Sequence, residues 1–513
     1  MHTLSLSTTQ GKCVLTATIL ASGMAFLDGT IVTIAIPVIQ SSLNTNLAGI
    51  QWVINAYALF LAALILISGS LGDKYGRRKI FSFGIIIFII ASFLCSLSQT
   101  IEQLIVFRSL QGLGGAMMIP GSLSLIHATF QEKIHGKAIG LWSGFSGGVA
   151  TIGPFIGGLL VEQFGWPSVF LINIPLGIVA LVLTLQYIPE SKNSESTKLD
   201  IWGTLLLFVG LLGICFALIE APVLGWLHII VISSLSIGIF ALVAFYYHER
   251  HTKSPIISFS LFKAKRIIGA NLMTLFLYFA LNGVIFFLIL NFQQLQHYSP
   301  LLAGSGLLPT ILLITFLSGP AGGLSDKIGV KLPMVLGSLL VSVGMVSFLF
   351  AGKQANYITS FLPGLILFGI GMSFVIAPLT KTALSVDPKY SGAASGVNNA
   401  VSRVAALLAI ALLGALLSFF FAQYLTSNIA STSLSSTQQK EIAIQKNKIG
   451  EIVIPDTFSK KETIVVKESI DNAFLNSFRK VMGISAFFAV LSAIIALVFI
   501  GDDNVKEKSK KRT

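Results

Sequence analysis

Asp28 and Arg108 are the two residues whose types and placing point most directly to chemistry. Asp28 lies inside an apolar run that begins near Val14, and Arg108 lies inside another at about 102–125. A charged carboxylate at that depth is expensive, so Asp28 must be neutral, paired or facing water. Desolvation favours the uncharged form of a carboxyl, which suits a group that takes up and releases a proton. The bland alternative is a satisfied side chain bonded to a neighbouring helix. Arg108 stays charged and needs an anion or water nearby; its alternative is a terminal arginine snorkelling to the interface. Asp28 is expected about nine residues from the outer end of its helix, roughly 13 Å by helical rise. Arg108 enters its own helix by one to two turns from the same side, so their depths match.

A second cluster sits in the joint SGSLGDKYGRRKI, residues 68–80, where Gly72, Asp73, Lys74, Gly76, Arg77, Arg78 and Lys79 separate two apolar runs. Asp73 is expected just past the end of the second helix, free to pair with basic groups or a helix N-terminus. The alternative is charge that only sets topology. Gly144, Gly148, Gly153, Pro154, Gly157 and Gly158 make a third feature. Glycines four apart leave a helix face bare, so another helix can approach closely, and Pro154 permits a kink. Trp52, Asn55, Tyr57, Glu220, Asn398, Asn399 and Arg403 are candidates for a cavity or a coupling network, or for packing and interfacial charge. Cys13, Cys95 and Cys215 have no metal-type spacing and read as small hydrophobes. No phosphate-binding Gly-Lys-Ser/Thr loop and no His-Glu-x-x-His occurs, so no cofactor, metal or enzyme activity is expected.

The elements that position these residues are membrane helices. The chain has 513 residues, 54% hydrophobic and 11% charged, about half the charged fraction of a soluble protein. Apolar runs of about twenty residues fall near 14–37, 48–71, 80–98, 102–125, 137–160, 168–188, 201–221, 227–247, 267–291, 302–324, 332–351, 357–380, 394–422 and 480–500, each long enough to cross a bilayer. The first is read as a span rather than a removed signal peptide. The net charge of +13 is topogenic, not a nucleic-acid surface, because the bases sit in loops. One set of loops carries Lys74, Lys133, Lys137, Lys192, Lys198, the bases of 248–266, Lys327, Lys331, Lys381 and Lys389, with Lys506 to Arg512 in the tail. The short alternate loops are nearly free of Lys and Arg, Lys353 excepted; the long segment 422–479 carries several, but long segments translocate regardless of charge. Both termini are therefore expected in the cytoplasm. Residues 422–479 form one long external loop, read as a solvated insert in which 438–452 suits a short amphipathic helix.

The chain also repeats itself. Asp73, Lys74 and Gly76 recur 253 residues later as Asp326, Lys327 and Gly329, and Gly112-Leu-Gly114 recurs 257 residues later as Gly369-Ile-Gly371. A duplicated helix–basic loop–helix unit marks a transporter built from two repeats. In the second copy Val330 stands where Arg77 would be, which puts a second latch in doubt.

With these features in place, the sequence resembles the fourteen-helix drug:proton antiporter branch (EmrB/QacA-like) of the major facilitator superfamily. The joint GSLGDKYGRRK matches the loop between helices 2 and 3. FLDGTIVTIAIP, RSLQGLGGAMMIP and GFSGGVATIGPFIGG resemble the signatures of helices 1, 4 and 5. The resemblance implies an all-α polytopic membrane protein of major facilitator fold, two six-helix bundles plus two additional transmembrane helices. The expected division is 1–190, two intervening helices at 191–250, a second bundle at 251–500 holding the external loop 422–479, and a basic tail at 501–513. It implies Asp28 and Arg108 as a proton-coupling pair lining one cavity, Gly72, Asp73, Gly76, Arg77 and Arg78 as a cytoplasmic latch, and the helix 5 glycines as an antiporter-type bend. The implied activity is proton-coupled export of amphipathic drug-like compounds from the bacterial cytoplasmic (inner) membrane. The partners are a small-molecule substrate, protons and the lipid bilayer. In a cell with two membranes a periplasmic adaptor and outer-membrane channel join them. The rivals are export of a single endogenous metabolite, such as a siderophore or antibiotic, and, more weakly, proton-coupled uptake or a membrane receptor.

Overall fold

All fourteen apolar runs fold as helix, since within a bilayer a segment must satisfy its own backbone. The structure is a computed structural model. It describes residues 4–192, 199–252, 255–257, 262, 264–385 and 391–501. The basic tail beyond Gly501 and the loop bases Lys198, Lys253, Lys263 and Lys389 lie outside the described residues.

Among the described residues, thirteen helices are long and apolar enough to cross a membrane. The helix at Ile101–Thr129, 29 residues long, is the fourteenth. It is the least apolar because it carries Arg108, Gln111 and Ser122, all buried. In chain order the elements are α1 (Thr9–Ser42), α2 (Leu47–Tyr75), α3 (Arg77–Ser96), α4 (Ile101–Thr129), α5 (His135–Phe164), the short α6 (Ser168–Leu171), α7 (Asn173–Tyr187), α8 (Ile201–Leu224) and α9 (Ile229–His251). Then come α10 (Lys265–Leu290), α11 (Pro300–Ser305), α12 (Leu308–Ile328), α13 (Lys331–Ser347), α14 (Tyr357–Ser360), α15 (Leu362–Ala383), α16 (Ser391–Ala430), α17 (Ser436–Ile444) and α18 (Lys460–Phe499). Among the described residues β-type pairing is confined to a single bridge between Leu4 and Phe130.

The chain divides into two compact units. One comprises Met1–Leu43, Trp52–Ala217 and Ile232–Ile257; the other comprises Asn44–Gln51, Leu218–Val231 and Ser258–Thr513. Most of α8 and α9 thus belongs to the first unit. Within the first unit α1 packs on α4, α5 and α7, and α3 packs on α4 and α7. Phe81, Phe88, Met24, Met118 and Phe130 form part of its core. Within the second, α15 packs on α12 and α13, and α10, α16 and α18 pack on one another.

The duplication read from sequence has a structural counterpart inside each unit. Gly84 of α3 and Gly114 of α4 meet so closely that a Cβ on Gly114 would lie 2.8 Å from the Gly84 carbonyl oxygen. Gly337 of α13 and Gly371 of α15 do the same at 2.6 Å. The positive-φ joints also recur, Gly76 at 118° and Gly329 at 90°.

The segment 422–479, expected as one long external loop, holds more helix than a loop would. α16 and α18 are 40 residues each, about 60 Å by helical rise, twice the roughly 30 Å hydrocarbon core. They therefore carry helix well into the segment read as 422–479. Between them α17 starts with a capping box made by Ser435 and Gln438. It stops at Ile444, short of the expected 452, and a tight turn with Ile449 at φ 57° follows.

Candidate functional site

Asp28 lies within α1, which runs to Ser42, fourteen residues beyond it rather than about nine. Its side chain is fully buried, as is that of Arg108 two turns into α4. The two form an ion pair through Arg108 Nη1 and Asp28 Oδ2. Two buried ions cost several kcal/mol each in desolvation, recovered only if geometry is good and further hydrogen bonds fill the remaining positions. The unit supplies those bonds. Gln111, one turn after Arg108, accepts from Arg108 Nη1 at 2.7 Å and donates through Nε2 to Asp28 Oδ1 at 3.0 Å. The same Nε2 donates to Ser92 Oγ on α3 at 2.7 Å. Asn173, the first residue of α7, donates to Asp28 Oδ1 at 3.2 Å. Arg108 Nε donates to the Val53 carbonyl of α2 at 3.0 Å. The guanidinium also lies 4.4 Å from the centre of the Tyr57 ring, within cation–π range.

Three helices, α1, α4 and α7, therefore meet at one carboxylate, and α2 and α3 join the network through Arg108 and Gln111. Asp28 takes three side-chain N–H donors, and Gln111 is oriented by having a cation on its oxygen and a carboxylate on its nitrogen. A flipped amide would set donor against donor. Gln111, Asn173 and Ser92 are absent from the sequence expectations. The available signal was spacing for Gln111, which stands three residues after Arg108, and an amide in an apolar run for Asn173. Tyr57, a candidate for a cavity or for packing, is 3% exposed and donates to the Ala25 carbonyl at 2.8 Å.

Asn55 is fully buried on α2, and among the described residues neither its Oδ1 nor its Nδ2 has a hydrogen-bond partner. Trp52 lies beside Phe216, ring centres 6.0 Å apart and planes tilted by 54°. Asn399 is exposed and donates to Ser395 on its own helix at 3.0 Å. Asn398 instead joins α16 to α10 through Thr274 at 2.8 Å. Glu220 lies on α8 and Arg403 on α16.

The joint is more integrated than its sequence suggests. Asp73 lies within the last turn of α2, not beyond it, and pairs with Arg77 at 2.8 Å. Gly76, at φ 118°, has no side chain to cap α3. Glu190, after α7, does that instead: its carboxylate accepts from the N–H groups of Arg78 at 3.1 Å and Lys79 at 3.2 Å. An anion at a helix N-terminus satisfies orphan donors and the helix dipole together. A Cβ on Gly76 would lie 2.8 Å from that carboxylate, so glycine is required both for φ and for room. Arg78 adds a bond to the Ile188 carbonyl at 3.2 Å. In the second unit Asp326 pairs with Lys381 at 2.5 Å, so a different base fills the role that Val330 leaves vacant.

The helix 5 glycines divide in two. A Cβ on Gly153 or Gly157 would run into Thr30 or Ile31 of α1, and Pro154 and Gly158 are buried beside them. Gly144 and Gly148 face open space. Close approach of helices thus explains one end of the glycine face and not the other.

The profile of the Major Facilitator Superfamily matches residues 18–410. The chain belongs to that superfamily. It is 30% identical over 496 residues to the multidrug resistance protein Stp of Mycobacterium tuberculosis (strain CDC 1551 / Oshkosh), covering 94% of this chain and 90% of that one. It is 30% identical over 480 residues to the tetracenomycin C resistance and export protein of Streptomyces glaucescens, covering 92% and 89%. Among solved structures, a bacterial homologue of the human lysosomal transporter Spinster superposes with a TM-score of 0.66 at 18% identity, covering 96% of this chain and 98% of that one; this likeness concerns the fold. The chain is thus a multi-pass membrane transporter of small molecules, with the all-α major facilitator architecture.

Proposed function

We propose that this major facilitator protein is a proton-coupled exporter of amphipathic, drug-like compounds, acting without covalent chemistry, and that Asp28 is its proton-carrying group. The observation that carries the reading is the buried Asp28–Arg108 pair with Gln111 and Asn173 bonded to the same carboxylate. Protonation of Asp28 removes the counter-charge of a guanidinium that is 1% exposed. A buried unpaired cation is strongly disfavoured, so the protein shifts to a state in which Arg108 is hydrated. If the substrate binds that state differently, proton and substrate become linked. One charge moving down 100 mV supplies about 2.3 kcal/mol, before any pH gradient.

Export rather than uptake is favoured by the names of the relatives, a multidrug resistance protein and a resistance and export protein. The second name also favours the rival reading, a pump dedicated to one compound. The reading further places the chain in a bacterial cytoplasmic membrane with both termini inside. A panel of unrelated toxic compounds, applied to cells with and without the gene, separates the two export readings by how many compounds it protects against.

The coupling test uses efflux from energised vesicles under an imposed pH gradient, with matched protein levels. Asp28→Asn is expected to abolish gradient-driven efflux while keeping substrate binding, and Asp28→Glu to keep part of the rate with a shifted pH profile. Efflux by Asp28→Asn at the unmodified rate would make Asp28 structural.

A further inference from the structure

Three titratable side chains outside the Asp28 network meet where α8 begins and α9 ends. Asp200 immediately precedes α8, and His248 and Glu249 lie in the last turn of α9. The Asp200 side chain is 5% exposed and Glu249 is 2% exposed. Asp200 Oδ1 accepts the Gly203 N–H at 2.8 Å and lies 2.8 Å from His248 Nε2. Glu249 Oε2 accepts the Ile257 N–H at 2.9 Å. The two remaining carboxyl oxygens, Asp200 Oδ2 and Glu249 Oε1, are buried and take no hydrogen bond among the described residues. They point to one place: a Cβ on Gly203 would lie 2.6 Å from each, so they are at most twice that distance apart, 5.2 Å.

Two buried carboxylate oxygens facing each other without a donor repel and are unsolvated. One proton removes both problems, since a protonated carboxyl donates to its ionised neighbour. Among the described residues no group of three His, Cys, Asp or Glu side chains has the arrangement of a metal site, which leaves the proton as the fitting ligand. We propose that Asp200 and Glu249 form a second proton-binding site, separate from Asp28, in which one proton bridges Asp200 Oδ2 and Glu249 Oε1 and fastens the start of α8 to the end of α9.

The donor sets decide where the proton rests. Asp200 has a backbone N–H and His248 on its other oxygen, whereas Glu249 has a backbone N–H alone. Burial pushes the Asp200 carboxyl up, but the bonds from Gly203 and His248, together with a protonated Glu249 donating to Oδ2, outweigh it and hold Asp200 below the usual carboxylate range. The proton therefore belongs to Glu249 and is donated to Asp200. Among the described residues His248 is the other titratable group acting on the pair; when charged it supports the Asp200 carboxylate. Arg250 turns away over the Tyr246 ring, 5.1 Å from its centre, and His251 bonds the Tyr247 carbonyl at 2.7 Å. Loss of the proton leaves two negative charges in the gap beside Gly203 and drives the two helix ends apart.

The test uses the purified full-length protein without substrate, so that it stands or falls separately from the export reading. Infrared difference spectra across an alkaline pH jump should show the loss of a protonated-carboxyl C=O band, and an indicator dye should count the protons released. Glu249→Gln, which keeps a donor facing Asp200, should abolish that band and release one proton fewer. Asp28→Asn should leave this band in place. Asp200→Asn should move its midpoint to lower pH, because the amide then donates to an ionised Glu249. An unchanged band and proton count in Glu249→Gln, or an unchanged midpoint in Asp200→Asn, would overturn the proposal.

Discussion

Gln111 is the residue that makes a dry Asp28–Arg108 pair tenable. It touches both charges at once, at 2.7 Å and 3.0 Å, and is anchored by Ser92. A hydrogen bond to a charged group is worth about 1.5–3 kcal/mol, so Gln111→Leu should lower stability by at least about that amount. Asn55 presents the opposite balance, a buried amide with neither atom partnered. An unsatisfied buried polar group costs about 1–3 kcal/mol. Asn55→Leu, close in shape, should therefore raise the unfolding temperature where Gln111→Leu lowers it. Thermal unfolding of the two purified variants in the same detergent checks both signs. A drop for Asn55→Leu would mean that the amide is satisfied in a way its neighbours do not reveal. Asp28 and Arg108 were legible in the sequence because a charge in an apolar run is conspicuous. Gln111, Asn173 and Ser92 were not, because neutral polar residues are frequent in helices and only the fold says which of them reach the carboxylate.

At the scale of elements, apolar runs located every long apolar helix, while the ends of helices escaped notice. Asp73 was read as lying beyond helix 2 because the apolar run ends at Leu71, yet α2 continues to Tyr75 with Asp73 held by Arg77. Likewise the polar stretch at 422–479 suggested solvated loop, whereas backbone bonding and two capping boxes carry helix through much of it. Helix continuity depends on backbone propensity and capping, which hydropathy does not measure. Glu190 is the clearest case: 112 residues from Arg78, it caps α3 in place of the absent side chain of Gly76. Losing a side-chain N-cap costs about 0.5–2 kcal/mol. Glu190→Ala should loosen the joint between α2 and α3, seen as faster amide hydrogen exchange at Arg78 and Lys79 with exchange in α10 unchanged. Equal acceleration in both places would signal general destabilisation and remove the specific capping role.

For the whole molecule, two independent patterns in the sequence converge. The repeat at an offset near half the chain corresponds to paired glycine contacts, Gly84 with Gly114 and Gly337 with Gly371, each internal to one unit. The charge pattern assigns a side to every loop. Lys192 is exposed in a base-bearing loop, while Ser433 and Ser436 are exposed in the segment between α16 and α18. An odd number of membrane crossings separates Lys192 from those serines if each of α8, α9, α10, α12, α13, α15 and α16 crosses once. Counting thirteen spans by apolarity alone would omit α4 and place the N-terminus on the side opposite to that assigned by the charges; counting fourteen keeps both ends together. The two readings differ in a measurable way. In intact cells of a variant lacking Cys13, Cys95 and Cys215, a cysteine at Lys192 should resist a membrane-impermeant thiol reagent until the cells are opened. A cysteine at Ser433 or Ser436 should react at once. A cysteine at Thr8, which precedes α1, should behave like the one at Lys192, because five crossings by α1 to α5 and one by the α6–α7 span return the chain to its starting side. Labelling of the Thr8 position from outside, with Lys192 protected, would mean that one of these helices, α4 first among them, does not cross.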